Sequence, residues 1–94
     1  QSLLELTPDT ALVKRGDQIR EVRVEEVALD ETLIIKSGAR VPLDGVVTFG
    51  ESAINQAPIT GESMPVEKKP GDAVFAGTIN GEGSLEVKVT KAST

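Results

Sequence analysis

The residues best suited to chemistry stand together in one short polar run of the chain. Thr60-Gly61-Glu62-Ser63 supplies a carboxylate, two hydroxyl groups and a glycine. Glu62 can orient a water molecule or accept its proton, while Thr60 and Ser63 can hydrogen-bond to that carboxylate or to the loop itself. Gly61 allows a sharp turn or a close approach to another surface. The run therefore predicts one presented site whose reactive group is Glu62.

Two prolines enclose this run and indicate that it is held at both ends. Pro58 and Pro65 fix their own φ angles, and each favours extended backbone in the residue before it, Ala57 or Met64. Four apolar residues nearby could anchor the loop to a core: Ile54, Ile59, Met64 and Val66. Disordered segments are poor in such residues. We therefore expect a rigid loop.

The composition limits the chemistry to carboxylates, hydroxyls, lysines and backbone groups. The 94 residues include no Cys and no His, which removes thiolate nucleophiles, imidazole bases and the usual zinc ligands. A net charge of −5 argues against nucleic acid as a partner, because such binding depends on Lys and Arg. Asp9, Asp17 and Asp72 lie beside turns and form no ligand cluster. We expect no cofactor site and no metal site in this chain.

Short apolar runs of period two predict a mainly β domain with little helix. Strand-forming residues lie at 11–13, 19–24, 32–36, 46–49, 74–79 and 85–89. Short strands joined by Gly-rich turns are typical of an all-β sandwich, jelly roll or small barrel. The pattern predicts one hairpin that turns at Arg15-Gly16-Asp17 and another that turns at Asn80–Gly83. Residues 24–29 fit a turn best.

Two stretches do not follow the strand pattern. Leu3, Leu4 and Leu6 would share one face, so residues 1–8 predict the tail of a linking helix that ends at Thr7-Pro8. Residues 51–70 contain three prolines and no clear period, and we expect mostly loop there. A loop of that length is unusual in a compact domain unless it is functional or disordered. We expect residues 1–94 to be a single domain cut from a longer chain.

An ordered series of short matches resembles the actuator domain of P-type ATPases. The matches span roughly residues 11–90 and comprise Pro42-Leu43-Asp44-Gly45, Gly50-Glu51-Ser52, Asn55–Val66, Gly71-Asp72 and Ala76–Asn80. The chain most resembles the heavy-metal-transporting branch. Many family members carry Asp-Glu-Ser where this chain has Asn55-Gln56-Ala57. The Asn-Gln-Ala string of this chain is more similar to the zinc, cadmium and lead exporters than to the copper exporters.

The resemblance implies a fold and a place in a larger machine. The fold would be a distorted jelly roll, similar to a double-stranded β-helix. The domain would be a cytoplasmic part of an integral membrane pump, working with the phosphorylation domain, the nucleotide-binding domain and the transmembrane helices of the same chain. ATP and Mg²⁺ would serve the full-length pump, and the transported divalent heavy metal would not bind here. By itself the domain would hydrolyse no ATP.

The resemblance also implies roles for the residues of the loop. Glu62 would be the catalytic residue, positioning the water that attacks an aspartyl phosphate on another domain. Five further residues would shape or support the loop: Thr60, Gly61, Ser63, Pro58 and Pro65. Thr78 and Asn80 could support it from a neighbouring strand.

Other readings of the same residues remain open at this point. One is the actuator domain of a copper-transporting pump. Another is a stand-alone β-barrel module that binds a ligand through residues 51–70. A third is a small hydrolase with Glu62 as general base, although no nucleophile, metal site or second placed carboxylate supports it.

Overall fold

The structure is a computed structural model that describes residues 9–92, so the predicted helix tail at residues 1–8 lies outside the described residues. The strands are β1 (Thr10–Arg15), β2 (Gln18–Arg23), β3 (Thr32–Ile35), β4 (Gly45–Phe49), β5 (Ser52–Asn55), β6 (Val66–Lys68), β7 (Ala73–Val74), β8 (Ile79–Asn80) and β9 (Leu85–Val89). A 3₁₀ turn spans Val24–Glu26, and the helical turn α1 spans Ala57–Thr60. The prediction of a mainly β domain with little helix is confirmed.

The strands form two antiparallel sheets. The large sheet has the order β2-β1-β3-β9-β4-β7, and the small sheet has the order β6-β5-β8. β1 and β2 form the predicted first hairpin, in which Arg15 pairs with Gln18 across the turn residues Gly16 and Asp17. Gly16 has a φ of +62°, a conformation that glycine adopts without strain.

One aliphatic core joins the two sheets. Alternation along β1, β3 and β9 turns every second side chain inward, as a strand of period two requires. Ten core side chains are at most 2% exposed: Val13, Leu33, Ile35, Val41, Val47, Ile54, Val74, Leu85, Val87 and Val89. Ile54 brings the small sheet into this core, while both phenylalanines, Phe49 and Phe75, stay exposed. The arrangement is the expected distorted jelly roll with a core of Val, Ile, Leu and Ala.

The prediction that residues 51–70 are mostly loop is wrong. The stretch contains β5, α1 and β6, and β5 lies in the middle of the small sheet. Ile54 pairs with Val66 on one side and with Asn80 on the other. The four residues of β5 contain one large apolar side chain, which is too few to show a period. Backbone pairing to two neighbours stabilises the strand instead.

The predicted closing hairpin at Asn80–Gly83 is also wrong. Residues 74–79 do not form one strand, because Val74 ends β7 in the large sheet and Ile79 begins β8 in the small sheet. Gly77, at φ +89°, turns the chain between them and donates its N–H to the carbonyl of Val41 at 2.8 Å. β9 pairs with β3 and β4, not with β8.

Asp44-Gly45 connects strands rather than forming a tight hairpin turn. The Oδ1 atom of Asp44 accepts a hydrogen bond from the N–H of Ala76 at 2.8 Å, and its carbonyl accepts one from Thr90 at 3.0 Å. Gly45 is the first residue of β4, where a Cβ atom would lie 2.5 Å from the carbonyl oxygen of Lys88. The pair therefore contributes to the fold, Asp44 through these hydrogen bonds and Gly45 through the close packing of β4 against β9.

Candidate functional site

The predicted site lies at the tip of the β5–β6 hairpin. β5 and β6 pair in register from Ser52 opposite Lys68 to Ile54 opposite Val66. Residues 56–65 connect the two strands and contain the helical turn α1. The strand pairing therefore places both ends of the connection side by side and presents its tip to solvent.

The start of α1 is fixed by the side chain of Asn55. Its Oδ1 atom accepts a hydrogen bond from the N–H of Ala57 at 2.9 Å, the two-residue spacing that Asn favours in turns. Pro58 follows in the first turn, where its missing N–H costs no helical hydrogen bond. Ala57 therefore lies in the helical turn, and the expectation of extended backbone at this residue is wrong.

Gly61 ends α1 in the left-handed region. Its φ is +82° and its ψ is −4°, and its N–H donates to the carbonyl of Ala57 at 2.9 Å. A Cβ atom at this position would meet no other atom within 4 Å. Glycine is therefore favoured here by the backbone conformation and not by a lack of space.

The hydroxyl of Thr60 links α1 to Glu62. It donates to the carbonyl of Gln56 at 3.0 Å and accepts a hydrogen bond from the N–H of Glu62 at 3.2 Å. The backbone at Glu62 is thus tied to the preceding helical turn. Among residues 9–92, no side-chain hydrogen bond of Ser63 is found.

Glu62 lies in a continuous exposed stretch of the loop. Within the described part of the chain, no ion pair involves its carboxylate. Lys69, farther along the chain, forms an ion pair with Asp72 at 3.6 Å, and the ammonium of Lys68 lies 5.6 Å from the centre of the Phe75 ring. The carboxylate is therefore available to a partner that supplies positive charge.

The site is a protruding tip and not a pocket. A groove of about 540 Å³ covers the outer face of the small sheet, and its lining includes Ala53, Asn55, Glu67 and Glu82 but not Glu62. In the described residues, no group of three or more His, Cys, Asp or Glu side chains could hold a metal ion. No described helix is long and apolar enough to cross a membrane. Glu62 therefore lies on the exposed tip and outside this groove.

Comparison with known proteins identifies the family. Residues 5–94 match the P-type ATPase actuator domain. The chain belongs to this family. Its relatives include a probable cadmium-transporting ATPase of Listeria monocytogenes, 52% identical over 91 residues, and one of Alkalihalophilus pseudofirmus, 50% identical over 91 residues. In both cases the alignment covers 97% of this chain and 13% of the relative. The actuator domain therefore spans about an eighth of the length of these relatives.

A solved structure supports the same assignment. The crystal structure of a zinc-transporting PIB-type ATPase in the E2.Pi state superposes with a TM-score of 0.92 at 28% sequence identity. The match covers 97% of this chain and 15% of that one. The two-sheet architecture is therefore that of a P-type ATPase actuator domain.

Three of the four apolar residues expected to anchor the loop do not do so. Ile54 is fully buried, whereas Ile59, Met64 and Val66 are 49%, 75% and 37% exposed. The helical turn α1 contains no buried residue at all. The connection at residues 56–65 is therefore held by hydrogen bonds and by the pairing of β5 with β6, because Ile59 and Met64 are exposed and do not pack in the core.

Thr78 and Asn80 do not hydrogen-bond to the loop through their side chains. The hydroxyl of Thr78 donates to the carbonyl of Phe75 at 2.6 Å. The amide of Asn80 donates to the carbonyls of Ile35, Lys36 and Gly83. Asn80 supports the connection at residues 56–65 only indirectly, because its backbone pairs with Ile54 of β5.

Sequence reasoning missed the turn that the side chain of Asn55 forms with the N–H of Ala57. The signal was present, because Asn two residues before the first N–H of a helical turn is a common turn-forming arrangement. This turn-forming pattern was overlooked because Ala57 precedes a proline and was therefore expected to be extended.

Proposed function

We propose that this actuator domain serves a heavy-metal-transporting P-type ATPase, and that Glu62 acts when the aspartyl phosphate of that pump is hydrolysed. The observation that carries the proposal is an exposed carboxylate on a fixed hairpin tip, with its backbone hydrogen-bonded to Thr60. Family membership supplies the context for this geometry. ATP, Mg²⁺ and the phosphorylated aspartate are assigned to the other domains of the pump.

The proposed step is the positioning of a water molecule for in-line attack on phosphorus. Phosphoryl transfer depends mainly on positioning and on electrostatic stabilisation, and a carboxylate can orient the water and accept its proton. An anion approaches a phosphate only where cations offset the repulsion. Glu62 has no cationic partner in the described residues, so the phosphorylated domain must provide this charge.

The remaining loop residues are proposed to keep Glu62 in place. Thr60 would fix the backbone of Glu62 by the hydrogen bond described above, and Gly61 would allow the tip to approach the other domain closely. Ser63 would bind the water or the loop once the two domains meet. Pro58 and Pro65 would limit bending at the two ends of the tip.

The role of Glu62 can be tested in the full-length pump. In Glu62→Ala, phosphoenzyme should still form from ATP, and its decay should slow by roughly 100-fold or more, as expected when a general base is lost. Decay of the radiolabelled phosphoenzyme after a chase with unlabelled ATP measures this rate.

A matched control is available on the adjacent strand. Glu67 is exposed on β6 and has no ion pair among the described residues, so Glu67→Ala should decay at the parent rate. Normal decay in Glu62→Ala, or equal slowing in both variants, would remove the catalytic role from Glu62.

We propose that the transported metal is cadmium, zinc or lead. Cadmium-transporting relatives reach 50–52% identity, a zinc-transporting relative of Bacillus subtilis is 42% identical, and a copper-exporting relative of Archaeoglobus fulgidus is 46% identical. The sequence identity to the cadmium-transporting relatives is only slightly higher than the identity to the copper-exporting one. The string Asn55-Gln56-Ala57 adds support for cadmium, zinc or lead. The ATPase activity of the full-length pump should rise with Cd²⁺, Zn²⁺ or Pb²⁺. Stimulation by copper alone would favour the copper alternative.

The second proposed role of the domain is mechanical. It would lie on the cytoplasmic side of the membrane and couple the phosphorylation state to the opening of the metal path. A small β body with one aliphatic core suits a rigid lever that carries a single tip. The 94-residue chain alone should show no ATPase activity in a phosphate-release assay.

A further inference from the structure

Asn80 is the asparagine of this chain that is most prone to deamidation, because Gly81 follows it. An asparagine loses its side-chain amide most readily before glycine, since glycine has no side chain to hinder attack by its backbone nitrogen. The chain has two asparagines, and the other one, Asn55, is followed by the bulkier Gln56. Deamidation therefore concerns Asn80 first.

The fold nevertheless requires both residues of this pair. The side-chain amide of Asn80 donates to three backbone carbonyls, as described above. A Cβ atom on residue 81 would lie 2.5 Å from the carbonyl oxygen of Ala53, which is too close for two packed atoms. The reactive pair is therefore a consequence of how this part of the chain packs.

The reaction needs only the two residues and water. The backbone nitrogen of Gly81 gives up its proton and attacks Cγ of Asn80. The side-chain nitrogen of Asn80 takes up a proton and leaves as ammonia, which closes a succinimide ring. Water then adds to one of the two ring carbonyls and opens the ring. Position 80 becomes aspartate or isoaspartate, and no oxidant or reductant takes part.

In the folded domain the two reacting groups are bound to different sheets. The N–H of Gly81 donates at 2.8 Å to the carbonyl of Ala53, on β5 of the small sheet. The amide of Asn80 donates to the carbonyls of Ile35 and Lys36, where β3 of the large sheet ends. These hydrogen bonds must break before the nitrogen of Gly81 can reach Cγ of Asn80.

The fold also gives no support to the charge that the attack creates. Negative charge develops on Oδ1 of Asn80 as the nitrogen adds to Cγ, and donors aimed at that oxygen would lower the barrier. Oδ1 is buried, and among residues 9–92 no group donates a hydrogen bond to it. Asn80 is only 1% exposed, so a base from solvent reaches the pair only after the fold opens.

We propose that Asn80-Gly81 is a latent deamidation site, closed in the folded domain and opened when β8 separates from β5 and from the end of β3. The product lacks the amide that joins the two sheets. Isoaspartate also lengthens the backbone of β8, where residue 80 pairs with Ile54. An opening that would otherwise reverse thus becomes permanent. This inference is independent of the proposed role of Glu62.

The rate of deamidation in the folded and the unfolded chain tests the proposal. The 94-residue chain is kept at pH 7 in buffer and in urea above its unfolding transition, which circular dichroism marks. Peptide mapping by mass spectrometry follows each asparagine. Asn80 should react at least about 100-fold more slowly in buffer, because only a small fraction of folded chains is open at any time. Asn55 should react slowly in both samples. Similar rates for Asn80 in buffer and in urea would overturn the proposal.

Two matched substitutions show which part of the fold must open. Ser52→Ala removes the hydrogen bond that the N–H of Gly83 donates to the Ser52 hydroxyl at 3.0 Å, beside the pair. Thr48→Ala removes another bond between a hydroxyl and the backbone, to the carbonyl of Glu86 at 3.2 Å, on β4. Ser52→Ala should deamidate roughly fivefold faster in buffer, as expected for the loss of one hydrogen bond, and Thr48→Ala should react like the parent. An unchanged rate in Ser52→Ala, or equal acceleration in both variants, would contradict an opening at β8.

The stability of the product tests whether the change is permanent. Chains deamidated at Asn80 in urea and then refolded should unfold at a urea concentration lower by roughly 1 M than unreacted chains. If reacted and unreacted chains unfolded at the same urea concentration, deamidation would not break the connection between the sheets, and that part of the proposal would be wrong.

Discussion

At the scale of single residues, the hydroxyl of Thr60 hydrogen-bonds to two backbone groups, and no other described side chain hydrogen-bonds to either of them. Its hydroxyl donates to the carbonyl of Gln56 and accepts from the N–H of Glu62. Because one hydroxyl does both, its removal should release Glu62 from α1 without altering the shape of the loop. Thr60 thus fixes the backbone at Glu62 without contacting its carboxylate through a hydrogen bond.

Replacing Thr60 tests this link. Thr60→Val keeps the shape and removes both hydrogen bonds, so the unfolding free energy of the domain should fall by about 1 kcal/mol. In the full-length pump, phosphoenzyme decay should slow by roughly fivefold to tenfold, which corresponds to a similar energy in the transition state. Thr60→Ser retains the hydroxyl and should decay close to the parent rate. If Thr60→Val and Thr60→Ser decay equally, the hydroxyl does not position Glu62.

The sequence pointed to Glu62 as a candidate residue, whose catalytic role stays a prediction, and the surroundings of Glu62 were harder to predict. Glu62 stands in a four-residue motif whose flanking matches extend over most of the chain. The exposure of Ile59 and Met64 could not be predicted, because an apolar residue type does not reveal whether its side chain meets a core. The hydrogen bond between Asn55 and the N–H of Ala57 was missed because the expectation of extended backbone before Pro58 outweighed the turn-forming preference of Asn.

At the scale of elements, an ion pair fixes the end of β1 to the segment that follows the 3₁₀ turn. The guanidinium of Arg15 donates to both carboxylate oxygens of Glu31, at 2.8 and 3.1 Å. The same carboxylate accepts a hydrogen bond from the N–H of Ala28 at 3.0 Å. These bonds, the one from Arg15 first, hold the pKa of Glu31 below its ordinary value of 4.5.

The depressed pKa predicts how this connection responds to acid. A carboxyl group whose pKa is lowered in the folded state stabilises that state above its ordinary pKa, and the contribution is lost as the pH falls through the folded value. Glu31→Gln should therefore be less stable than the parent at pH 7, and the difference should shrink below about pH 4.5. Thermal unfolding from pH 7 to pH 3 measures it, with Glu51→Gln as the exposed control. A difference that stays constant with pH would show that the ion pair is not its source.

Elements with a clear period were predicted correctly, and elements held by pairing alone were not. β9 shows its alternation in the sequence, β3 is marked by β-branched and apolar residues, and the β1–β2 hairpin is marked by its glycine turn. β5, β6, β7 and β8 have two to four residues each. Such strands contain too few residues for a sequence period to be visible. They form because they pair with strands that are distant in the chain. The false hairpin at Asn80–Gly83 arose because sequence neighbours were taken as pairing partners.

At the scale of the whole molecule, the buried side chain of Asn80 joins the two sheets. Asn80 is 1% exposed and lies on β8 of the small sheet. Its amide donates to the carbonyls of Ile35 at 3.2 Å and Lys36 at 3.0 Å, where β3 of the large sheet ends, and to Gly83 at 2.6 Å. The small sheet carries the loop with Glu62, so this residue connects the loop to the body of the domain.

Substitution of Asn80 should weaken the whole domain because three carbonyls, one buried and two partly buried, lose a hydrogen-bond donor. Asn80→Ala should lower the unfolding free energy by about 2–3 kcal/mol, the cost of leaving buried polar groups unpaired.

Asn80→Asp has nearly the same shape but directs a carboxylate at those carbonyls, so at pH 7 it should lose at least as much. Below about pH 4 it should recover part of the loss, since a protonated carboxyl can donate one hydrogen bond. Urea unfolding at both pH values measures these changes, and Asn55→Ala, which removes only the hydrogen bond to the N–H of Ala57, should cost about 1 kcal/mol. If Asn80→Asp were as stable as the parent at pH 7, the side-chain amide would not be the connection, and the shared aliphatic core and the backbone hydrogen bonds between residues 38–41 and 77–80 would join the sheets without it.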